Sequence, residues 1–179
     1  MKKVRYLIDS DALISAKNSW LDPKIAPAFW DWLLEGHNQG CFYSIDKVSS
    51  ELKEGSEADF LYQFAIDHAS IFLSSDELSC ITEYAKLQTW ANTIWAHYQN
   101  KKPNKTSKAT EAFASTKKAD AFLVAYAKAN NFVIVTNEVS DMQCQTNIKL
   151  PDAANSCGVK TINLYDLLLL HSHNNFQFK

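Results

Sequence analysis

The chain lacks the patterns that mark several classes of protein. It has four glycines and four prolines among 179 residues, which argues against a fibrous or disordered chain and favours a compact, helix-rich domain. No apolar run approaches the ~20 residues that a membrane span needs, and residues 1–13 lack the apolar core and cleavage site of a signal peptide. We therefore expect a single cytoplasmic domain, residues 1–179, with no membrane partner.

Cysteine and arginine are also scarce. The four cysteines (Cys41, Cys80, Cys144 and Cys157) form no CxxC pair and no zinc-ligand spacing, so we expect reduced and mostly buried thiols. Arg5 is the only arginine, which leaves almost no bidentate guanidinium contact for reading guanine edges. Any contact with nucleic acid should therefore run mostly from lysine to phosphate.

Lysine, in contrast, is concentrated in one segment. Residues 101–118 hold six lysines against Glu111 alone, a local charge of +5 in a chain whose net charge is −2. Such a segment can attract phosphates while the rest of the surface stays acidic. A solvated linker around Pro103 would have the same composition. The candidate phosphate contacts are Lys101, Lys102, Lys105, Lys108, Lys117 and Lys118.

Short apolar runs alternate with helical patterns along the chain. Strands are predicted at residues 4–8, 41–43, 70–73, 132–135 and 160–162. Ser44 and Ser75 are predicted to begin the helices after the second and third strands, and the tail around His171 and His173 is expected to fray. The alternation predicts an α/β fold, a mostly parallel five-stranded sheet with helices on both faces.

Four acidic side chains are predicted to meet at one edge of that sheet. Asp9 directly follows the first apolar strand, and Glu138 follows the fourth. Glu51 and Asp120 fall in the first two turns of helices that leave the same edge. Because ligands of open α/β sheets bind outside the carboxyl ends of the strands, we expect the functional site here.

Carboxylates gathered in this way favour a metal ion. They repel one another, which raises their pKa values and destabilises the fold unless a divalent cation lies between them. Oxygen ligands suit Mg²⁺ or Mn²⁺, and both ions leave coordination positions for water and substrate phosphate. The pattern therefore predicts metal-dependent hydrolysis of phosphodiester bonds.

An ordered set of motifs resembles the PIN-domain nucleases, which include the VapC-like toxins. The set comprises LIDSDALI from residue 7, SSEL from residue 49 and KKADAFLVAYAKANNFVIVTNE from residue 117. The resemblance covers nearly the whole chain. It implies a three-layer sandwich with strand order 3-2-1-4-5 and a Mg²⁺- or Mn²⁺-dependent ribonuclease. The implied metal and catalytic residues are Asp9, Glu51 and Asp120, with Glu138 as the fourth acid.

The same resemblance implies supporting residues and partners. Ser10 and Thr136 match small hydroxyl positions that orient ligands or water in such proteins. The six lysines become candidate RNA contacts. Because the first helices of PIN toxins take part in dimerisation and antitoxin binding, we expect RNA, a protein antitoxin and a second copy of the chain as partners.

The chain also departs from the pattern. Glu138 stands where the family usually has Asp, so Asp141 or Asp152 could serve as the fourth acid instead. Asp11 stands where many relatives have Asn or Ser, and it adds a charge near the site. Asn137, between Thr136 and Glu138, is a further supporting candidate.

Two other interpretations remain open. Asp9 and Asp11 after an apolar strand resemble the nucleophile and acid/base pair of haloacid-dehalogenase-like phosphatases. In those enzymes a strand ending in Thr or Ser precedes a later strand followed by two acids, whereas here Thr136 and the later acids share one loop. A catalytically silent PIN-like module that binds a partner is the second alternative.

Overall fold

Five short strands form one sheet in which every neighbouring pair is parallel. The computed structural model describes residues 3–100, 107–113, 115–116 and 118–179. The strand order β3-β2-β1-β4-β5 confirms the predicted sheet. The strands are β1 (Tyr6–Ile8), β2 (Phe42–Ile45), β3 (Phe72–Leu73), β4 (Val133–Val135) and β5 (Thr161–Ile162).

Helices cover both faces of the sheet and complete a three-layer α/β/α sandwich. The first five are α1 (Ser10–Lys17), α2 (Pro27–Asn38), α3 (Asp46–Leu52), α4 (Phe60–Asp67) and α5 (Leu78–Trp90). A π-helical turn, Ala91–Trp95, joins α5 to α6 (Ala96–Tyr98). The others are α7 (Lys108–Phe113), α8 (Ala119–Asn130), α9 (Leu150–Ser156) and α10 (Leu164–His171). None of the helices among the described residues has the length and apolar character that crossing a bilayer requires.

The central strands are apolar because both of their faces are covered. Leu7 and Ile8 of β1 and Ile134 of β4 are almost completely buried, as expected for parallel strands between two helical layers. The Phe42 ring of β2 packs against Trp32 of α2, with ring centroids 4.8 Å apart. The core is thus continuous from β1 to the helices.

Two helices begin later than the sequence predicted, because tertiary contacts use the predicted caps. Ser44 lies inside β2 and donates its hydroxyl to the Ile8 carbonyl (2.6 Å), so α3 begins at Asp46. Ser75 donates both its N–H (3.2 Å) and its hydroxyl (2.6 Å) to Asp46 Oδ1, so α5 begins only at Leu78. Both serines join elements that are distant in sequence.

The prediction that the C-terminal tail frays was wrong. Trp32 Nε1 donates to the carbonyl of His171 (2.9 Å), which fastens the end of α10 to α2. Phe176 packs edge-on against Phe29, and Phe178 lies against Trp32. The tail belongs to the core because its aromatic rings cover α2.

Gly36 allows α2 to approach β2 closely, and we expect Gly36→Ala to destabilise the protein. A Cβ at this position would lie 2.0 Å from Cδ2 of Phe42. Overpacking of this kind costs about 1–3 kcal/mol, which at this chain length lowers the melting temperature by about 2–10 °C. Gly55→Ala is the matched control, since a Cβ there has no neighbour within 4 Å. Equal calorimetric melting temperatures for the two variants would contradict the prediction.

Candidate functional site

Asp9 is held at the carboxyl end of the two central strands. Its N–H donates to the Val135 carbonyl (3.0 Å), and its side chain is only 3% exposed. Thr136 Oγ1, which follows β4, donates to Asp9 Oδ2 (3.0 Å). Burial, followed by repulsion from Asp120, raises the pKa of Asp9 to about 7. The carboxyl group is therefore fixed in place but costly to ionise without a nearby cation.

Glu51 ties together the starts of two helices that leave this edge. Its Oε2 accepts a hydrogen bond from Ser10 Oγ (2.7 Å), the first residue of α1. Its Oε1 accepts from the backbone N–H of Ala119 (3.0 Å), the first residue of α8. Ser10 Oγ also lies 3.4 Å from Oδ1 of Asp9, so Asp9 and Glu51 share one hydroxyl. The carboxylate satisfies an N–H that has no partner inside its helix.

Asp120 is the second residue of α8 and faces the other acids. Burial, followed by repulsion from Glu138 and Glu51, raises its pKa to about 6, while Lys118 and Lys149 act in the opposite direction. Its carboxylate is half-buried and accepts no hydrogen bond from any residue that the structure describes. A carboxylate in this state is open to an additional cationic partner.

Glu138 lies in the loop after β4, where the start of α9 holds it. Its Oε2 accepts from the N–H of Leu150 (2.9 Å), and its Oε1 lies 3.4 Å from Nζ of Lys149. Its own N–H donates to Thr136 Oγ1 (3.2 Å). Thr136 therefore joins Asp9 to Glu138 through a single hydroxyl group.

These side chains surround one cavity of about 240 Å³. Three of the four predicted acids line it, and Asp9 adjoins it through Ser10. The structure thus brings the predicted acids together at one edge of the sheet. The lining residues are Ser10, Glu51, Ala109, Ala112, Phe113, Lys118, Asp120, Glu138, Asn147 and Ile148.

The four acids do not form a closed ligand set as they stand. Within the described part of the chain, no group of three or more His, Cys, Asp or Glu side chains is arranged to hold a metal ion. Glu51 and Glu138 direct their oxygens to donors of the protein instead. A Mg²⁺ ion needs only one or two carboxylates besides water and substrate oxygens. The chemistry of Asp9 and Asp120, both raised in pKa, fits that requirement.

The remaining acids and the amide lie outside the cavity lining. Asp11 is exposed on α1. Asp152 is buried and accepts hydrogen bonds from the hydroxyl of Ser140 and the N–H of Asp141 (3.1 Å), so it holds the loop that carries Glu138. Asp141 is exposed and its Oδ1 accepts from Gln143 N (3.0 Å). Asn137 Oδ1 accepts from the N–H of Leu164 (3.2 Å), which links this loop to α10.

The lysine-rich segment forms part of the cavity wall and also supplies positive charge. Lys118 lines the cavity, and Lys108 is exposed on α7, a helix that the sequence did not predict. The other four candidate RNA contacts (Lys101, Lys102, Lys105 and Lys117) lie outside the described residues. The spacing of Ala109, Ala112 and Phe113 was the signal for α7, since these residues share one helical face.

Lys149 is the functional candidate that sequence reasoning missed. It pairs with Glu138, whose charge raises the Lys149 pKa, and it acts electrostatically on Asp120. Its place two residues before Pro151, just ahead of the first turn of α9, was visible in the sequence. Its role depends on the loop after β4 folding back on that helix, which no local pattern shows.

The raised pKa of Asp9 predicts a pH-dependent effect of Asp9→Asn on stability without metal. The folded-state pKa of about 7 exceeds the unfolded value, so the fold favours the protonated form of Asp9. The stability that this protonated carboxyl group provides is fully present below about pH 4. It is lost as the pH rises through 7 and the buried group ionises. We therefore expect Asp9→Asn to raise the free energy of unfolding by no more than about 1 kcal/mol at pH 4.5 and by about 2–4 kcal/mol at pH 8. Urea denaturation in EDTA measures this, and a pH-independent difference would contradict it.

Comparison with known proteins places the chain in one family. Residues 6–176 match the family described as Domain of unknown function (DUF4411), so the chain belongs to that family. No curated protein and no solved structure matches the chain.

Proposed function

We propose that this member of the DUF4411 family is a divalent-metal-dependent ribonuclease. The observation that carries the proposal is the pair of Asp9 and Asp120 at the carboxyl edge of the sheet, both raised in pKa beside a cavity with a lysine in its wall. Asp120 accepts no hydrogen bond from the described residues and is repelled there by Glu138 and Glu51. Groups in this arrangement gain most from a cation between them.

The residues at this edge of the sheet would have different roles around such an ion. Asp9 and Asp120 would hold Mg²⁺ or Mn²⁺, and Glu51 and Glu138 would act on water molecules around the ion. When bound, the ion supplies an activated water and neutralises charge on the phosphate. Thr136 and Ser10 fix the orientation of Asp9.

Two further groups prepare the cavity for a substrate. Glu51 anchors the first N–H of α8 and thereby positions Asp120 one residue later. Lys118 and Lys149 supply positive charge toward Asp120. Lys118, which lines the cavity, would contact substrate phosphate oxygens. Each acts by position and charge, the terms that dominate catalysis of phosphate reactions.

RNA is the substrate class that the residues and the resemblance to PIN-domain nucleases favour together. A cavity of about 240 Å³ would receive a single phosphodiester group of a strand with its neighbouring sugar. Contact through lysines reads phosphate and shape, since Arg5 is the only arginine and lies elsewhere. We therefore expect cleavage of single-stranded or looped RNA.

The same resemblance supports a cytoplasmic toxin that an antitoxin restrains. Trp20 is 84% exposed beside an apolar groove that Leu164, Tyr165 and Leu168 also line. An exposed tryptophan next to apolar side chains is typical of a protein-binding surface. An antitoxin or a second copy of the chain would cover this face.

The haloacid-dehalogenase-like alternative needs Asp11 beside the reaction. Asp11 is exposed and does not line the cavity, whereas the carboxylates that do line it come from α3, α8 and the loop after β4. Of the acids that the nuclease proposal uses, Glu51, Asp120 and Glu138 line the cavity and Asp9 adjoins it through Ser10.

Incubation with labelled single-stranded RNA tests the proposal. We expect cleavage with Mn²⁺ or Mg²⁺ and none in EDTA, with no phosphoryl-aspartate on the protein. A trapped phosphoryl-aspartate would overturn the proposal in favour of the phosphatase. RNA left intact under all metal conditions, with growth arrest unaffected by Asp9→Asn, would overturn it in favour of a silent binding module.

A further inference from the structure

A second cavity lies at the amino ends of the strands, on the opposite side of the sheet from the carboxylates. It measures about 320 Å³, within the usual range for small-molecule sites. The starts of β1, β4 and β5 and the ends of α8 and α9 surround it. No Asp or Glu is among its described lining residues.

Four cationic side chains from three segments of the chain line this cavity. Lys3 and Arg5 precede or adjoin β1, Lys128 is in the last turn of α8, and Lys160 precedes β5. The β-ladder fixes two of them on either side of β4: the Arg5 carbonyl accepts from Val133 N and the Lys160 carbonyl accepts from Ile134 N, both at 2.9 Å. The sheet therefore sets the spacing between these two cations.

None of the four cations has a carboxylate partner in the described part of the chain. The ion pairs found there are Lys17–Asp59, Lys86–Glu83 and Lys149–Glu138. Concentrating four positive charges without a counter-ion is unfavourable, and it is unexpected in a chain whose net charge is −2. An anionic ligand would relieve that repulsion.

The Arg5 side chain is held in a fixed orientation and uses only part of its hydrogen-bond donors within the described part of the chain. Its Nη2 donates to the Asn130 carbonyl (2.6 Å), and its guanidinium lies over the Phe132 ring, 4.1 Å from the centroid. A guanidinium has five N–H donors in a planar fork that matches phosphate oxygens. One of them caps α8, so the others remain for a ligand.

Some of these cations also stabilise the fold, whereas Lys160 does not. A change at Lys160 therefore tests ligand binding without disturbing the structure. Lys3, Arg5 and Lys128 each donate to a carbonyl at the end of a helix: Gln39 after α2, Asn130 of α8 and Cys157 after α9. Lys160 is exposed and its side chain donates to no described residue. Its ammonium group has no role in holding the fold.

We propose that the cavity bounded by Lys3, Arg5, Lys128 and Lys160 binds a phosphate-bearing anion, separately from the carboxylate site. Its volume suits a pyrophosphate or the phosphate of a nucleotide. Gly158, with a positive φ of 75° and no neighbour within 4 Å of a Cβ, leaves its rim open to such a ligand. Guanidinium and ammonium groups together recognise tetrahedral oxyanions through charge-assisted hydrogen bonds.

Calorimetric titration of inorganic pyrophosphate in EDTA at low salt tests this site. We expect a Kd below about 1 mM for the wild type and a loss of about tenfold for Lys160→Gln, since a hydrogen bond to a charged group is removed. Lys24→Gln, which changes an exposed lysine outside the cavity, is the matched control and should bind as wild type does. Asp120→Asn should also keep its affinity, which makes this result independent of the proposed nuclease.

Two outcomes would overturn the site. One is no heat of binding for the wild type at about 10 mM pyrophosphate, far above the expected Kd. The other is unchanged affinity in both Lys160→Gln and Lys128→Gln. A parallel titration with a 5′-phosphorylated RNA oligonucleotide identifies the source of the phosphate. The ligand that binds more tightly, pyrophosphate or the oligonucleotide, represents the natural class if Lys160→Gln weakens its binding.

Discussion

Asp9→Asn is expected to lower RNA cleavage on the order of a thousandfold while the fold stays intact. Asn preserves the shape and can still accept the hydrogen bond from Thr136, but it removes the charge that would hold the cation. Loss of metal-ion catalysis costs several kcal/mol of transition-state stabilisation, and about 4 kcal/mol corresponds to roughly a thousandfold in rate. Single-turnover cleavage of labelled RNA in Mn²⁺ measures the effect.

Asp11→Asn is the matched control for that experiment. The chemical change is the same and lies two residues away, but Asp11 is exposed and outside the cavity lining. We expect its rate to stay within about threefold of wild type, as for a surface charge that acts only at a distance. Equal losses in the two variants would contradict the assignment and support the phosphatase, in which both aspartates take part.

Asp120→Asn is expected to stabilise the metal-free protein and to remove most of its response to Mn²⁺. Burial and the neighbouring acids raise the pKa of Asp120 to about 6, so its ionised form at neutral pH destabilises the fold. Each pKa unit is about 1.4 kcal/mol, and about 1 kcal/mol shifts the melting temperature of a chain this size by 2–4 °C. An increase of about two pKa units is about 3 kcal/mol, so we expect the metal-free variant to melt about 6–12 °C higher than wild type at pH 8.

The increase in melting temperature on adding metal should be larger for the wild type than for the variant. An ion at a hundred times its Kd stabilises the wild type by about 2.7 kcal/mol, or about 5–10 °C, and the variant by far less. Asp31→Asn, an exposed aspartate on α2, is the control that should leave both values unchanged. If Asp120→Asn melts below wild type in EDTA and keeps the full Mn²⁺ shift, the acids do not repel one another as the structure indicates.

The sequence predicted the elements that local pattern controls. Asp9 after an apolar strand, Asp120 among alanines at the start of a helix, and the alternation of strands and helices all follow from periodicity. The strand order came from the resemblance to PIN-domain nucleases, because register and order depend on contacts between distant segments. The structure confirmed the sheet and brought the predicted acids together.

The parts that were not predicted depend on long-range contacts. Ser44 and Ser75 have the chemistry of helix caps, but their hydroxyls bond to Ile8 and Asp46 across the fold. The aromatic tail packs on α2 because Trp32, a residue of that helix far away in sequence, faces it. Lys149 meets Glu138 after the loop between them folds back. No window of neighbouring residues contains these pairs.

A crystal soaked in Mn²⁺ and measured at the manganese absorption edge would show whether the acids at the carboxyl edge of the sheet hold a divalent cation. We predict an anomalous peak coordinated by the carboxylates of Asp9 and Asp120, with Glu51 and Glu138 within reach of its water ligands. Density that shows both carboxylates without a cation at millimolar Mn²⁺, or a peak bound only elsewhere on the protein, would contradict it.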